Sequence, residues 1–287
     1  MSIDLNICKE IMRKAGKTYY FATKIFPKEI REATYALYAF YRVPDDMVDL
    51  HEDLNLEAKT ALLHEWRKKW QDCITNKGES DEAVLRAAYE VHKKYKIEFI
   101  YSQDFLDAME QDLSKDRYQT YEELEHYMYG SAAVVGIMMT HVIGQKGEEV
   151  PSELVLDYAS KLGYAMQLTN FLRDIAEDID DRNRIYMPIN EYTAFEISDI
   201  DFAKHKYPDK WKDFMELQLH RAERLYREAD QGIKHLNWYG RLAVRLASRL
   251  YEAYHTEIRK SDYKVYHSKY KINGYKKLFI LFKTLFT

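Results

Sequence analysis

QLTNFLRDIAEDIDDRNRIY, residues Gln167 to Tyr186, sets a row of oxygen-bearing side chains inside an apolar helical pattern. Asn170, Asp174 and Asp178 lie four apart, so on a helix they stack on one face, a turn above one another, with Gln167 one turn earlier on a neighbouring face. Leu168, Phe171, Leu172 and Ile175 surround the row and are residues that bury. The polar stripe is therefore expected to point into a protein-lined cavity rather than bulk water. Two carboxylates one turn apart repel by roughly a few tenths of a kcal/mol even in water. A bound cation is the natural remedy.

A second row stands far away in sequence. In YRVPDDMVD, residues Tyr41 to Asp49, Asp45 and Asp49 repeat the four-residue spacing and Asp46 adjoins them. Each row carries an arginine, Arg42 before Asp45 and Arg173 beside Asp174. Two acidic rows with guanidiniums attached suit metal ions held between carboxylates and a polyanion such as diphosphate. Taken alone, one acidic stripe is more often a solvated helix face; two of like spacing, each with an arginine and apolar flanks, point to metal-assisted chemistry.

Around these rows the chain reads as helix. Ten glycines and five prolines in 287 residues leave few breaks, which predicts a mostly helical protein with short connections. Periodicity predicts helices over 4–15, from Pro27 into the first acidic row, and over 55–76, 81–95, 98–114 and 120–143. A long helix from Ser152 leads into the opening stretch, and two more cover 210–236 and 240–262. Pro44 lacks the N–H that would bond to Phe40, so a kink or restart is expected there, with Asp45 and Asp46 in the turn that follows. Between Pro188 and Asp209 the chain reads as irregular. The run Tyr129 to Gly136 is poor in bulk, which permits close helix packing and also leaves room for a ligand chain.

Composition excludes several classes of function. The net charge of -4 comes from mixed signs, so the basic footprint of a nucleic-acid binder is missing. Cys8 and Cys73 have neither disulfide-scaffold nor metal spacing and suit a reducing cytoplasm. The N-terminus lacks an apolar core of signal-peptide length, and no run reaches membrane-spanning length. The tail from Tyr270 to Phe286 mixes lysines with aromatics; it reads equally as a face lying on the inner surface of a membrane or as a core-packing end helix.

The first row, the small-residue helix around Tyr127 to Gly136, and the block from Gln167 to Pro188 resemble the squalene and phytoene synthase family of head-to-head prenyltransferases. The order and spacing of these blocks match over nearly the whole chain. The resemblance implies an all-α, single-domain isoprenoid-synthase bundle over residues 1–287, with the rows facing each other across a central active-site cavity. It implies joining of two identical prenyl diphosphates through a cyclopropyl intermediate with Mg²⁺, Mn²⁺ being the alternative. Asp45, Asp49, Asn170, Asp174 and Asp178 would be the metal ligands. Lys17, Thr18, Arg42 and Arg173 would contact diphosphate, and Tyr38, Gln167 and Tyr251 would line the substrate site. Tyr127 joins the catalytic set, Arg184 and Tyr186 the substrate set, and Asp112 falls where the family often has an acidic residue facing the cavity.

The sequence also departs from the family. Gly16 stands where a serine often precedes the lysine, Pro44 is unusual between the arginine and the aspartates, and Ser268-Lys269 sits where an arginine is common. One extra residue after Asp178 makes Arg182 and Arg184 compete for one role. The Ser-Ala-Ala-Val-Val-Gly variant, Ser131 to Gly136, leans to condensation of two C20 geranylgeranyl diphosphates to 15-cis-phytoene, in carotenoid biosynthesis. The alternative is dehydrosqualene or squalene synthesis from two farnesyl diphosphates. No nicotinamide fingerprint is present, so NADPH is not expected. A terpene cyclase or head-to-tail prenyltransferase, and a catalytically silent prenyl-binding subunit, are the remaining classes.

Overall fold

The computed structural model describes residues 2–16, 20, 22–49, 54–266, 270, 272–274, 277, 280, 281 and 284, without the side chain of Asp49. Among these residues all regular structure is helical. The chain divides into two compact units. The first comprises Met1–Ser114, Val134–Leu156 and His235–Ala243; the second comprises Lys115–Ala133, Asp157–Lys234 and Val244–Thr287.

In the first unit, α1 (Ile3–Ala15) starts under Ser2, whose side chain accepts from the Leu5 N–H. It packs on α2 (Lys28–Asp49) and on α4 (Ala83–Lys94), and α2 also meets α3 (Leu56–Thr75), α5 (Phe99–Ser114) and α7 (Val134–Ile143). Helix α2 can serve as this hub because Ala36, Leu37, Ala39 and Phe40 are wholly buried. Phe40 meets Trp70 at 4.9 Å between ring centroids, and His92 stacks on Phe99 at 5.3 Å.

The kink expected at Pro44 does not end the helix: α2 runs through it to Asp49. The ring's fixed φ is helical, so the cost is the lost bond to Phe40 together with the crowding of the Phe40 carbonyl by the ring. Asp45 and Asp46 therefore sit on the helix rather than in a turn, at i+3 and i+4 from Arg42, where one guanidinium reaches both.

His92 gives this core an acid limit. Its Nδ1 lies 2.8 Å from the Ala88 carbonyl oxygen, and burial holds its pKa down at about 4. A depressed histidine contributes stability that is fully present above about pH 6.5 and is lost as pH falls towards 4, because the unfolded chain takes up the proton first. The slope for one such group is about 1.4 kcal/mol per pH unit at most. Asp178, raised to about 7, titrates in the opposite sense over the same window, so the measurable quantity is a difference. Urea midpoints between pH 7 and 5 should fall less steeply for His92→Phe than for the wild type; parallel slopes would mean that His92 has no part in the acid limit.

In the second unit, the expected 120–143 helix is interrupted. Helix α6 (Tyr121–Met128) gives way to a π turn, Tyr129–Ala133, before α7 begins. Gly163 of α8 (Glu153–Arg173) explains the small residues here: a Cβ on it would lie 2.7 Å from the Ala132 carbonyl oxygen. Close packing thus uses the run whose lack of bulk was legible in sequence.

The long helix expected from Ser152 is also divided. It bends at Asp174, and α9 (Ile175–Arg182) follows. The stretch expected to be irregular carries two short helices, α10 (Ile189–Ala194) and α11 (Asp199–Ala203), the latter opened by a Ser198–Asp201 capping box. Helices α12 (Trp211–Ile233) and α13 (Trp238–Lys260) follow. Thr169, one residue before Asn170, is wholly buried, with its hydroxyl 3.0 Å from the Tyr226 hydroxyl and 2.8 Å from His255 Nε2. Helix α8 is thereby fixed in register beneath the acidic row.

Candidate active site

The row of the second unit keeps its helical geometry across the bend. Asp174 N–H donates to the Asn170 carbonyl and Asp178 N–H to the Asp174 carbonyl, each at 2.9 Å. The three side chains therefore hold their one-turn spacing. Asn170 Nδ2 donates to Gln167 Oε1 at 3.4 Å, while the buried Asn170 Oδ1 has no hydrogen-bond partner among the described residues.

Asp178 is 8% exposed, and burial first, then the charge of Asp174, push its carboxyl up to about 7. Arg182 approaches it at 3.2 Å, and Arg184 donates to the Tyr186 hydroxyl at 3.1 Å. The charges of both arginines that competed in sequence act on Asp178, each drawing its pKa back down. A small pocket beside Asp178 is lined by Phe171, Ile175, Arg184 and Tyr186.

Arg173 forks onto Asp174. Its Nε donates to Oδ1 at 2.7 Å and its Nη2 to Oδ2. Burial opposes the charge on Arg173, but the bonds and the charge of Asp174 outweigh it and raise the guanidinium's pKa. The ring of Tyr254 backs the guanidinium at 4.8 Å, and Tyr251 sits edge-on to Tyr254 at 6.3 Å.

Tyr127 is 2% exposed and belongs to an aromatic stack. Phe171 and Tyr186 lie 3.9 Å apart and nearly parallel, Tyr127 is 5.7 Å from Tyr186, and Tyr118 is 5.4 Å from Tyr127. Neither Tyr118 nor Tyr254 was singled out from the sequence. In a chain with 25 tyrosines, ring partners are not readable one residue at a time.

In the first unit, Arg42 holds Asp45 at 2.8 Å and Asp46 at 2.5 Å. Those two carboxylates, against burial, raise its pKa. Tyr38 crowds Gly16: a Cβ there would meet the tyrosine hydroxyl at 2.6 Å, so a side chain at this position would have to push the end of that ring aside. Asp112 is half-buried on α5. Lys17, Thr18 and the Ser268-Lys269 pair lie outside the described residues, as do the side chain of Asp49 and much of the Tyr270 to Phe286 tail.

The second row suits a hard divalent cation. It offers carboxylates and one bare amide oxygen, the donors Mg²⁺ takes, and Asp178 is a carboxyl whose ionised form a cation would restore. Among the described residues no three His, Cys, Asp or Glu side chains are gathered as a ready cage. Mg²⁺ needs none, since it binds through one or two carboxylates and completes its shell with water and phosphate oxygens.

Residues 12–276 match the squalene/phytoene synthase family, and the chain belongs to it. It is 34% identical over 275 residues to phytoene synthase 1, chloroplastic, of Zea mays, covering 96% of this chain and 66% of that protein. With phytoene synthase 1, chloroplastic, of Arabidopsis thaliana it shares 32% identity over 94% of this chain and 63% of the relative. The chain thus spans about two thirds of the length of these curated relatives.

Among solved structures, a dehydrosqualene synthase in complex with ligand superposes with a TM-score of 0.87 at 27% identity, covering 98% of this chain and 95% of the other. Squalene synthase HpnC from Alicyclobacillus acidocaldarius shares the fold, with a TM-score of 0.82 at 22% identity over 91% of this chain and 94% of that one. The expected all-α fold class and the expected family are borne out. No helix among the described residues is long and apolar enough to cross a membrane.

Proposed function

We propose that the protein is a prenyltransferase of the phytoene synthase type. Two geranylgeranyl diphosphates condense to prephytoene diphosphate with release of one diphosphate. Ionisation of that intermediate, rearrangement and loss of a proton then give 15-cis-phytoene and a second diphosphate. The observation that carries this reading is the row Asn170, Asp174 and Asp178, with its bare amide oxygen and attendant arginine, in a chain whose relatives at 32–34% identity are named phytoene synthases.

Bound Mg²⁺, or Mn²⁺ in its place, would supply charge to the departing diphosphate oxygens, held by Asp45 and Asp49 in one row and by Asn170, Asp174 and Asp178 in the other. Arg42, Arg173, Lys17 and Thr18 bind the anion, with Gln167, Tyr38, Arg184 and Tyr251 lining the substrate. Tyr127 and Tyr186, packed with Phe171, exclude water from the allylic cation and offer it aromatic faces. The two units act as one catalytic domain. We place the protein in the cytoplasm, with the lysine- and aromatic-bearing tail as the segment that would touch the inner membrane face; no nucleic acid and no nicotinamide cofactor take part.

A second reading, dehydrosqualene synthesis from two farnesyl diphosphates, is favoured by the structural likeness to a dehydrosqualene synthase. Incubation with Mg²⁺ and either the C15 or the C20 diphosphate, followed by identification of the hydrocarbon, separates them. Phytoene from the C20 substrate is expected. A C30 product from the C15 substrate alone would overturn the assignment in favour of the second reading.

A further inference from the structure

In each acidic row an arginine already holds a carboxylate. Arg173 occupies both oxygens of Asp174 through two N–H donors, and in the first unit Arg42 bridges Asp45 and Asp46, one nitrogen to one oxygen of each. A two-pronged guanidinium and a cation compete for the same lone pairs, and a fork is the strongest form of that pair. Arg173 is also held from behind. Its guanidinium lies 4.8 Å from the centre of the Tyr254 ring, and its side chain is 22% exposed. A partly desolvated cation over an aromatic face resists displacement. Beside it, Asn170 Oδ1 is bare and buried. Of the row's three members, Asn170 is therefore open, Asp178 meets Arg182 through one oxygen at 3.2 Å, and Asp174 alone is closed on both oxygens.

We propose that Arg173 is the resident counter-ion of Asp174 before metal arrives, that Tyr254 is the positioning residue that keeps it there, and that a divalent cation takes the carboxylate only when an incoming diphosphate draws the guanidinium away. The inference rests on the reading of this row as a cation site. It adds an order of events: metal alone binds poorly, and the anion opens the carboxylate by giving the arginine another partner. A site closed in this way does not collect divalent cations in the absence of substrate.

The test is Mn²⁺ binding followed by the electron paramagnetic resonance signal of the free ion, without diphosphate, on the full chain. Removing the guanidinium in Arg173→Gln should tighten binding by about tenfold, the factor that loss of a competing charge-assisted fork would give. Arg173→Lys keeps the charge but not the fork and should also tighten it. Tyr254→Leu should move the same way, and Tyr254→Phe, which keeps the ring, should match the wild type. Adding inorganic diphosphate should tighten the wild type and close the gap to Arg173→Gln.

Binding by Arg173→Gln no tighter than the wild type overturns the proposal. So does a Tyr254→Leu protein indistinguishable from the wild type, or an Arg173→Lys protein that matches it while Arg173→Gln tightens. No Mn²⁺ bound by any variant overturns it too. Circular dichroism on each variant separates misfolding from altered binding. Product formation by the wild type, assayed in parallel, distinguishes the two failures: hydrocarbon made without the expected tightening sinks only this inference, and no hydrocarbon from either substrate sinks the proposed reaction.

Discussion

Asp174→Asn should lower turnover by about 10²–10³-fold, the range that loss of one stabiliser of developing negative charge produces. The fold should remain. Asp174 stands at the start of α9, yet its side chain makes no capping bond, so that contribution is not at stake. Its carboxylate pairs with Arg173, and asparagine fills the same space. The guanidinium keeps the Tyr254 ring behind it. Loss of this partly exposed pair should cost about 1 kcal/mol, which for a chain of this size shifts Tm by only a few degrees. Asp45→Asn should behave alike, because Arg42 retains Asp46. Steady-state turnover with saturating prenyl diphosphate and Mg²⁺, alongside a thermal melt, decides the matter. Two variants that turn over like the wild type would leave the acidic rows without a catalytic part.

The sequence made the helices legible because it punctuates them so rarely. The limits of α1, α3, α4, α5, α12 and α13 each fall within a few residues of where the apolar period and the breaks place them. What sequence reading missed are places where tertiary contacts override local rules. Pro44 reads as a kink or restart because it lacks an N–H, but its φ is helical and α2 does not restart there: its packing against several neighbours outweighs the missing bond and the crowded carbonyl. The π turn at Tyr129–Ala133 is silent in sequence, since one extra residue in a helical turn leaves no compositional mark.

The candidate site divides in the same way. Spacing and residue type revealed the row and its arginines; they did not reveal which lone pairs were in use. The forks from Arg42 and Arg173 depend on side-chain conformers that spacing leaves open. Tyr254 could have been marked as a residue three after Tyr251 on one helix face, but that signal is shared by ordinary core tyrosines. The hydroxyl of Tyr38 close beside Gly16 is likewise a contact that the sequence does not reveal.

Gly163→Ala should destabilise the protein by about 2 kcal/mol, and Gly163→Val by more, enough to abolish folding at growth temperature. The new Cβ would lie 2.7 Å from the Ala132 carbonyl oxygen and 2.8 Å from the Ala133 Cα. Both are backbone atoms of the π turn, so no side chain can swing aside and α8 itself must move away. Alanine is the better helix former by about 1 kcal/mol, which works against the loss and makes the expected sign a strict test of the contact. Gly274→Ala is the control, because its added Cβ meets nothing within 4 Å among the described residues. A fall in Tm of roughly 4–8 °C for Gly163→Ala, with Gly274→Ala unchanged, is the result expected. Equal Tm values would mean that the small residues from Tyr129 to Gly136 are not there to let two helices touch. Their lack of bulk would then have to be explained by room for a ligand chain instead.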